Sequence, residues 1–312
     1  MGGDQVDDLL NPRPWPAFKS AMNNTPDILC IGAVLWDIIG RHDNDMQRGH
    51  DRPGRITRLP GGVAMNIAMA LQAYGMTPAL LTAIGQDAEG DELLRACADM
   101  GMITDHIHRP DGLPTDRYMA IEGRNGLIAA IADAHSLEKS GDAILAPMQD
   151  ALSGWTGLVA LDGNLTVELL TQIATDQRFA ETDLRIAPAS PGKAERLRPF
   201  LSHPTATLYV NMEEAALLLD TSFADSTAAA SALLGQGLYR ALVTNGAEAA
   251  SLAFGDNLLT FTPPKVQVKR ITGAGDTFMA AHIAAEAQGA DPESALQNAM
   301  SATATYISGD SY

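Results

Sequence analysis

The sequence predicts an α/β protein, a three-layer α/β/α sandwich with a mostly parallel central sheet and a small β lid. Short apolar or β-branched segments alternate with longer amphipathic ones along most of the 312 residues, and this alternation is typical of parallel sheets. Hydrophobic residues make up 46% of the chain and charged residues 19%, as in globular proteins with a substantial core. Glycine turns follow several of the predicted strands, at the sheet edge where such folds bind ligands.

The predicted strands and helices follow one another in a regular order. The predicted strands span residues 27–34, 79–83, 158–161, 184–187, 207–210 and 241–244. The amphipathic segments span residues 64–74, 91–100, 167–175, 212–219 and 226–236. Because helical crossovers cover both faces of a parallel sheet, the sheet should be the middle layer. Residues that directly follow a strand are then the first candidates for function.

Two segments interrupt this alternation and predict a separate β structure. Asn125-Gly126 lies between two apolar runs and is the strongest short signal for a type I′ hairpin. Residues 38–59 are polar and lack helix signals. Together, residues 38–59 and 113–132 are interpreted as a lid over the sheet edge. An ordinary surface hairpin is the alternative.

The ends of the chain, its charge and its cysteines limit the classes of function. Residues 1–26 are interpreted as a flexible N-terminal extension of one domain, residues 27–312. No apolar run approaches the roughly 18 residues of a membrane span, so we expect no membrane partner and a cytoplasmic protein. The net charge of −17 argues against nucleic-acid binding. Cys30 and Cys97 are interpreted as buried apolar fillers rather than as a disulfide or metal site.

The most informative motif is Thr272-Gly273-Ala274-Gly275-Asp276, a glycine turn that leads into an apolar segment with helical periodicity. Backbone N–H groups at such a helix N-terminus bind anions. Asp276 is then placed to accept a proton from an alcohol that attacks a phosphate. At the usual aspartate pKa of about 3.9 it would be ionised at pH 7. Alternatively, Asp276 only favours the first helical turn.

A second glycine turn, Gly61-Gly62, opens the predicted helix that contains Asn66. Paired glycines allow a ligand to approach the backbone closely. Asn66 could contact a hydroxyl or could cap the helix. Asp37, near the end of the first strand, could bind two vicinal hydroxyls, or could simply be a strand-end turn residue.

Two polar turns follow the later strands. Asn211 and Glu214 share one face of a helix start, where Glu214 could hold magnesium through water or the pair could form a capping box. Thr244 and Gly246 form another strand-end turn. This turn could bind a nucleotide phosphate or could be only a tight β turn.

These stretches, in this order and spacing, resemble the ribokinase-like (phosphofructokinase-B) family of carbohydrate and nucleoside kinases over about residues 27–308. The resemblance implies a ribokinase-like fold that uses ATP and Mg²⁺. It implies a catalytic base at Asp276 with an anion hole at Gly273, Ala274 and Gly275. It implies acceptor contacts at Asp37, Gly61, Gly62 and Asn66. It assigns ATP and phosphate contacts to Thr272, Asn211, Thr244 and Gly246, with Glu214 on the metal.

Within the family, the similarity is greatest to pseudouridine kinases. It is carried by the runs PGGV at residues 60–63, NIA at 66–68 and ITGAGD at 271–276. It implies that Asp133 and Asn164 lie near the uracil and the ribose. Asp133 could instead be a solvated loop carboxylate, and Asn164 could be the N-cap of a helix that begins near Thr166.

The sequence departs from the family pattern at two positions. Arg270 stands where many members have an aspartate of a monovalent-cation site, so the resemblance gives no support for a potassium (K⁺) requirement. Ala249 stands where the nucleotide turn usually has a second glycine, and we expect a slightly altered backbone there.

The sequence therefore predicts an ATP-dependent kinase for the 5′-hydroxyl of a nucleoside, with pseudouridine as the expected acceptor. The alternatives are another sugar or nucleoside kinase of the family, of ribokinase or inosine–guanosine type, and a non-catalytic nucleoside-binding protein. The resemblance also implies a homodimer formed through the lid.

Overall fold

Two sheets organise the part of the chain that the computed structural model describes, residues 25–309. Of the predicted extension, all but residues 25 and 26 lies outside the described residues. The strands are β1 (Ile28–Ile31), β2 (Leu35–Arg41), β3 (Arg55–Gly61), β4 (Pro78–Leu81), β5 (Arg117–Gly123), β6 (Gly126–Asp133), β7 (Leu158–Asp162), β8 (Asp183–Ala187), β9 (Thr207–Asn211), β10 (Arg240–Asn245), β11 (Glu248–Phe254) and β12 (Asn257–Phe261).

The main sheet has eight strands in the order β12-β11-β10-β9-β8-β7-β1-β4. The strands from β10 to β4 pair in parallel, and β11 and β12 add antiparallel pairs at one edge. The helices are α1 (Val63–Ala73), α2 (Ala88–Asp99), α3 (His135–Ser140), α4 (Val167–Thr175), α5 (Met212–Leu219), α6 (Ser226–Leu234), α7 (Ala274–Ala287) and α8 (Pro292–Ser308). Two 3₁₀-helical segments, Gly141–Gln149 and Pro191–Phe200, complete the helical part.

Burial on both faces of the sheet produces the three layers. All four residues of β1 are buried, and they alternate between two hydrophobic clusters. Leu29 and Ile31 pack in the cluster that contains the apolar face of α4, whereas Ile28 and Cys30 pack with α1 and α7. Successive side chains of a strand point to opposite faces, so the continuous apolar run of β1 is explained by helices on both sides. The predicted α/β/α sandwich is confirmed.

The second sheet has four strands in the order β3-β2-β5-β6. Its central pair, β2 and β5, is parallel, and the outer pairs are antiparallel. This small sheet contains most of the two segments that the sequence singled out as β structure. The first predicted strand, residues 27–34, is too long, because β1 ends at Ile31 and the chain enters the small sheet at Leu35.

The hairpin between β5 and β6 exists, but its turn is not type I′. A type I′ turn needs positive φ at both central residues, and among residues 25–309 Asp220 is the one non-glycine residue with positive φ. Gly126 has a φ of 94° and the register shifts after Ile121, as in a hairpin with a bulge. Asn125 instead accepts a hydrogen bond from Met46 N at 2.9 Å and donates one to Met46 O at 2.9 Å. Its side chain therefore ties residues 42–54 to the hairpin.

Both cysteines are buried and free, as the sequence predicted. No helix in the described range is long and apolar enough to cross a membrane.

Candidate active site

The N-terminus of α7 forms the turn at residues 272–276, which we call the anion-binding turn because its geometry suits an anion. Gly273 caps the helix with a φ of 83°, a conformation that glycine adopts without strain. In residues 25–309, the backbone N–H groups of Gly275 and Asp276 find no protein acceptor. A Cβ atom added at Gly275 would meet no atom within 4 Å. Two free amides therefore face open space at the positive end of the helix dipole, which suits a phosphate.

Asp276 lies beside these amides, and its ionisation differs from the expectation. Removal from water raises the pKa of Asp276 to about 7, and the nearby carboxylates of Asp162, Asp37 and Glu214 contribute to this increase. A hydrogen bond from Asn66 Nδ2 to Asp276 Oδ2, at 2.9 Å, acts in the opposite direction. The expectation of full ionisation at pH 7 is therefore wrong, because half-burial in a cluster of acids opposes the negative charge.

Asn66 connects two elements that are far apart in the sequence. It lies in the first turns of α1, whose N-cap is Gly62 with a φ of 96°. The α1 N-terminus has no side-chain cap, so the capping alternative for Asn66 is wrong. Its amide instead reaches Asp276, 210 residues further along the chain. This contact joins the glycine turn at Gly61-Gly62 to the anion-binding turn.

Asp37 lies within β2 of the small sheet, not at the end of a strand in the main sheet. Its carboxylate covers Gly61 on the neighbouring strand β3, so that a Cβ atom at Gly61 would overlap it. Partial burial raises the pKa of Asp37 to about 6. The small sheet thus places a second acidic group near Asp276. The charge of Asp37 contributes to the raised pKa of Asp276.

Asn211 and Glu214 form the capping box that was the alternative interpretation. Asn211 N donates to Glu214 Oε2 at 2.8 Å, and Glu214 N donates to Asn211 Oδ1 at 2.9 Å. The box uses one carboxylate oxygen of Glu214, and burial raises the pKa of this residue to about 7. Because its charge also raises the pKa of Asp276, Glu214 belongs to the same acidic cluster. The capping role and a role at the site are therefore compatible.

The residues present fit a magnesium ion that arrives with phosphates. Among the described residues, no group of three or more His, Cys, Asp or Glu side chains could hold a metal alone. Magnesium usually keeps several waters and takes one or two carboxylates together with substrate phosphates. Glu214, beside the anion-binding turn and with one oxygen outside the capping box, meets this description.

Thr244 and Gly246 lie in the hairpin that joins β10 to β11. Gly246 has a φ of 57° and the register shifts between Val243 and Asn245, so the tight-turn geometry is present. Gly246 is exposed and Thr244 is half-buried. Ala249 lies in β11, and its carbonyl accepts a hydrogen bond from Ser226 Oγ at 2.6 Å.

The side chains of Asp133 and Asn164 make no hydrogen bond to the acidic cluster within residues 25–309, although the backbone N–H of Asn164 donates to Asp162. Asp133, exposed at the end of β6, lies 2.6 Å from His135 Nδ1; this contact lowers the pKa of Asp133 and raises that of His135. Asn164 Oδ1 accepts a hydrogen bond from Lys193 Nζ at 2.6 Å. Thr166, not Asn164, caps α4, so the capping alternative for Asn164 is wrong.

Asp162, the last residue of β7, was not predicted from the sequence as a site residue. This fully buried carboxylate accepts hydrogen bonds from the backbone N–H groups of Ala33 at 2.8 Å, Ala64 at 2.9 Å and Asn164 at 2.7 Å. Burial nevertheless raises its pKa. It fixes the ends of β1 and β7 to the start of α1. An acid directly after an apolar strand was the one available signal, and its partners are too distant in sequence to be foreseen.

A helix N-terminus suited to a phosphate, with one carboxylate beside it and a second brought by the small sheet, is the arrangement expected of a phosphotransferase that acts on an alcohol. The model of the pfkB family of carbohydrate kinases matches residues 25–310. The chain belongs to this family and is a carbohydrate or nucleoside kinase.

Several known proteins are similar to the chain. An uncharacterized sugar kinase of Escherichia coli K12, YeiI, is 32% identical over 256 residues, 80% of this chain and 69% of the relative. The pseudouridine kinase of the same organism is 28% identical over 258 residues, 81% of each chain. The crystal structure of a putative sugar kinase from Clostridium perfringens has a TM-score of 0.77 at 23% identity and covers 92% of this chain and 90% of its own. This last likeness concerns the fold.

Proposed function

We propose that this protein transfers the γ-phosphate of ATP to the 5′-hydroxyl of a nucleoside, with pseudouridine as the acceptor. One observation carries the proposal: Asp276 lies directly beside two free amides of α7 while Asn66 holds its carboxylate at 2.9 Å. A proton acceptor and an anion site are then adjacent, as an in-line transfer requires. The 28% identity to a pseudouridine kinase over 81% of the chain supports the choice of acceptor.

In the proposed reaction, the ribose lies against Asp37, Gly61-Gly62 and Asn66, with its 5′-oxygen toward the γ-phosphorus. The hydroxyl oxygen forms a bond to phosphorus, its proton passes to the Asp276 carboxylate, and the bond from the γ-phosphorus to the bridging oxygen of ADP breaks. The free amides at Gly275 and Asp276 stabilise the charge on the transferring group, which is usually the larger electrostatic contribution. Asn164 is proposed to contact the acceptor. Asp133, two residues after Ile131 on β6, shares the outer face of the small sheet and is not proposed as an acceptor contact.

The proposed ATP and magnesium contacts come from the anion-binding turn and from the ends of β9 and β10. Thr272, Asn211, Thr244 and Gly246 would contact ATP, and Glu214 would hold magnesium through water. The metal would neutralise phosphate charge. Because Arg270 stands where the resemblance places a cation-site acid, no potassium requirement is part of this proposal.

The small sheet is proposed to act as a lid and as a dimer interface. Asp37 lies on the face directed at the site, so neighbouring residues of β2 point the other way. This outer face, defined by Ile38, Ile56, Met119, Ile121 and Ile131, carries five aligned apolar side chains. Ile56 is 78% exposed and Ile131 is 68% exposed. A second copy of the chain is the proposed partner of this face.

An acceptor panel tests the proposed function. ATP consumption is measured with magnesium and, separately, pseudouridine, uridine, inosine, adenosine, ribose and fructose 6-phosphate, and the product is identified by mass spectrometry. We expect the highest kcat/KM with pseudouridine and a 5′-monophosphate product.

The alternatives give different outcomes. Preference for ribose or inosine would identify another kinase of the family. Inosine is included because the guanosine-inosine kinase of Exiguobacterium acetylicum is 28% identical to this chain over 292 residues. Binding of nucleosides without turnover of any acceptor would indicate a non-catalytic nucleoside-binding protein. Either result would refute pseudouridine as the acceptor.

A further inference from the structure

The segment that leads into the anion-binding turn is held by the last turn of α8. Residues 262–268 make no hydrogen bond within the described chain, and Val268 and Ile271 are 54% and 75% exposed. The first attachment is at Lys269 and Arg270, whose backbone N–H groups both donate to Ile307 O, at 2.8 and 3.2 Å. The turn therefore follows a weakly attached segment and depends on few contacts.

Two side chains complete this attachment. The Arg270 guanidinium lies 3.7 Å from the centre of the Tyr306 ring, and Arg270 Nε donates to Tyr306 O at 2.7 Å. The Tyr306 hydroxyl donates to Thr272 O at 2.8 Å. The same hydroxyl fills the space beside Gly273, where a Cβ atom would lie 2.6 Å from it. Tyr306 thus contacts the turn on both sides of the Thr272–Gly273 peptide bond.

We propose that Arg270 and Tyr306 form a latch that positions the anion-binding turn for phosphoryl transfer. The guanidinium supplies a fixed positive charge at the C-terminal end of α8, where the helix dipole favours a cation. The Tyr306 ring packs against this guanidinium, and the Tyr306 hydroxyl fixes Thr272 O and Gly273 relative to α8. Neither residue contacts substrate in this proposal; both are positioning residues, and the proposal rests on the proposed kinase function.

The latch has a physical consequence for catalysis. The free amides at Gly275 and Asp276 must point at the transferring phosphate to within a fraction of an ångström to be effective. With Thr272 and Gly273 fixed, the start of α7 is pre-organised before ATP arrives. Without the latch, binding ATP must also order residues 262–273, and this cost reduces the affinity for ATP but leaves the acceptor pocket unchanged.

Tyr306→Phe tests the latch because it removes the hydroxyl but keeps the ring and its contact with Arg270. We expect a fall of about fivefold or more in kcat/KM for ATP, the size of one lost hydrogen bond, with an unchanged KM for the acceptor. Arg270→Ala, at an exposed position, should have a similar effect. Tyr239→Phe is the matched control, since Tyr239 is 54% exposed and lies against another arginine, 5.8 Å from its ring.

A second readout does not depend on turnover. Trypsin cuts after Lys265 and Lys269, so release of the segment should accelerate cleavage there in Tyr306→Phe and Arg270→Ala but not in Tyr239→Phe. Unchanged cleavage and unchanged kcat/KM for ATP in both variants would overturn the latch. A lower Tm with unchanged kinetic constants and an unchanged cleavage rate would also overturn it, because Tyr306 would then only stabilise the fold. If the parent protein phosphorylates no acceptor, the proposed function fails, while the cleavage experiment still decides on the latch.

Discussion

Asp276 must lose a proton to act as a base, yet its surroundings favour the protonated form. Partial burial and three neighbouring acids raise its pKa to about 7. A base with a pKa near the working pH is well matched to proton transfer, because it is partly ionised and still basic enough to take a hydroxyl proton. The same burial that makes the residue costly to ionise therefore makes it a better base than an exposed aspartate.

The pH dependence of kcat/KM follows from this pKa. In the proposed mechanism the ionised form of Asp276 is the active one, so kcat/KM should rise as pH increases through about 7 and level off above it. An unperturbed aspartate would give a flat profile over the same range. Steady-state rates between pH 5.5 and 9, with saturating magnesium, measure the profile.

Asp276→Asn provides the internal control for that assignment. It should lower kcat by roughly 10²–10⁴-fold, and the residual rate should lose the rise near pH 7. Asp256→Asn, in the exposed turn between β11 and β12, should leave both unchanged. A normal profile in Asp276→Asn would exclude this residue as the base.

At the scale of the element, the first turn of α7 lies at the proposed site, and the rest of the helix packs in the hydrophobic core. Phe278, Met279 and Ile283 are buried against the sheet, while Gly275 faces open space. This division lets a change at the first turn affect anion binding without disturbing packing. It also separates the stabilising and functional roles of one helix.

Gly275→Ala exploits that separation. Alanine favours a helix by about 0.5–1 kcal/mol relative to glycine, and no atom lies within 4 Å of the added methyl group, so Tm should stay equal or rise. The methyl group would occupy the space proposed for the phosphate, so kcat/KM for ATP should fall by about tenfold or more. Calorimetry and steady-state kinetics measure the two effects.

Gly192→Ala is the matched substitution, because Gly192 also has no neighbour within 4 Å of a Cβ atom but lies in another segment. It should leave the kinetics unchanged. If Gly275→Ala were equally silent, the open space at α7 would not be the phosphate site.

The sequence predicts some elements of this fold better than others, for physical reasons. Buried parallel strands such as β1 and β7 are continuous apolar runs and are easily recognised. The break at Gly32 was invisible because the residues on both sides of it are apolar. The helix α8 was not predicted, since Ser and Thr interrupt its apolar pattern. The antiparallel strands β11 and β12 were also missed.

The same distinction applies to the site. The motif around Asp276 is local and could be recognised, whereas the contact between Asn66 and Asp276 spans 210 residues and depends on the fold. The raised pKa of Asp276 likewise depends on acids contributed by β2, β7 and α5. Residue types were therefore foreseeable, but their ionisation was not.

At the scale of the molecule, the two sheets divide the proposed site between them. The main sheet and its helices provide the phosphate turn, Asn66 and Glu214, and the small sheet provides Asp37. If the outer face of the small sheet binds a second copy, dimerisation would also fix the position of Asp37.

The outer face provides the test of that arrangement. Met119→Asp combined with Ile131→Asp places two charges on an apolar surface, and we expect a dimer to become a monomer in light scattering coupled to size-exclusion chromatography. We also expect KM for the acceptor to rise. Val167→Asp is the control: this residue is 46% exposed but lies in the first turn of α4, where an acid is tolerated. A monomeric parent protein would contradict the proposed dimer.

The acidic cluster also affects the folded state as a whole. Asp37, Glu214 and Asp276 have pKa values raised to about 6, 7 and 7, and that of Asp162 is raised as well. Between pH 4 and 7 the folded protein therefore holds protons on these groups that the unfolded chain has released, so their contribution to stability falls as pH rises. In the proposed mechanism, catalysis by ionised Asp276 should improve over the same interval. For these four groups, the folded state is most stable below neutral pH, whereas the proposed catalysis is fastest above it.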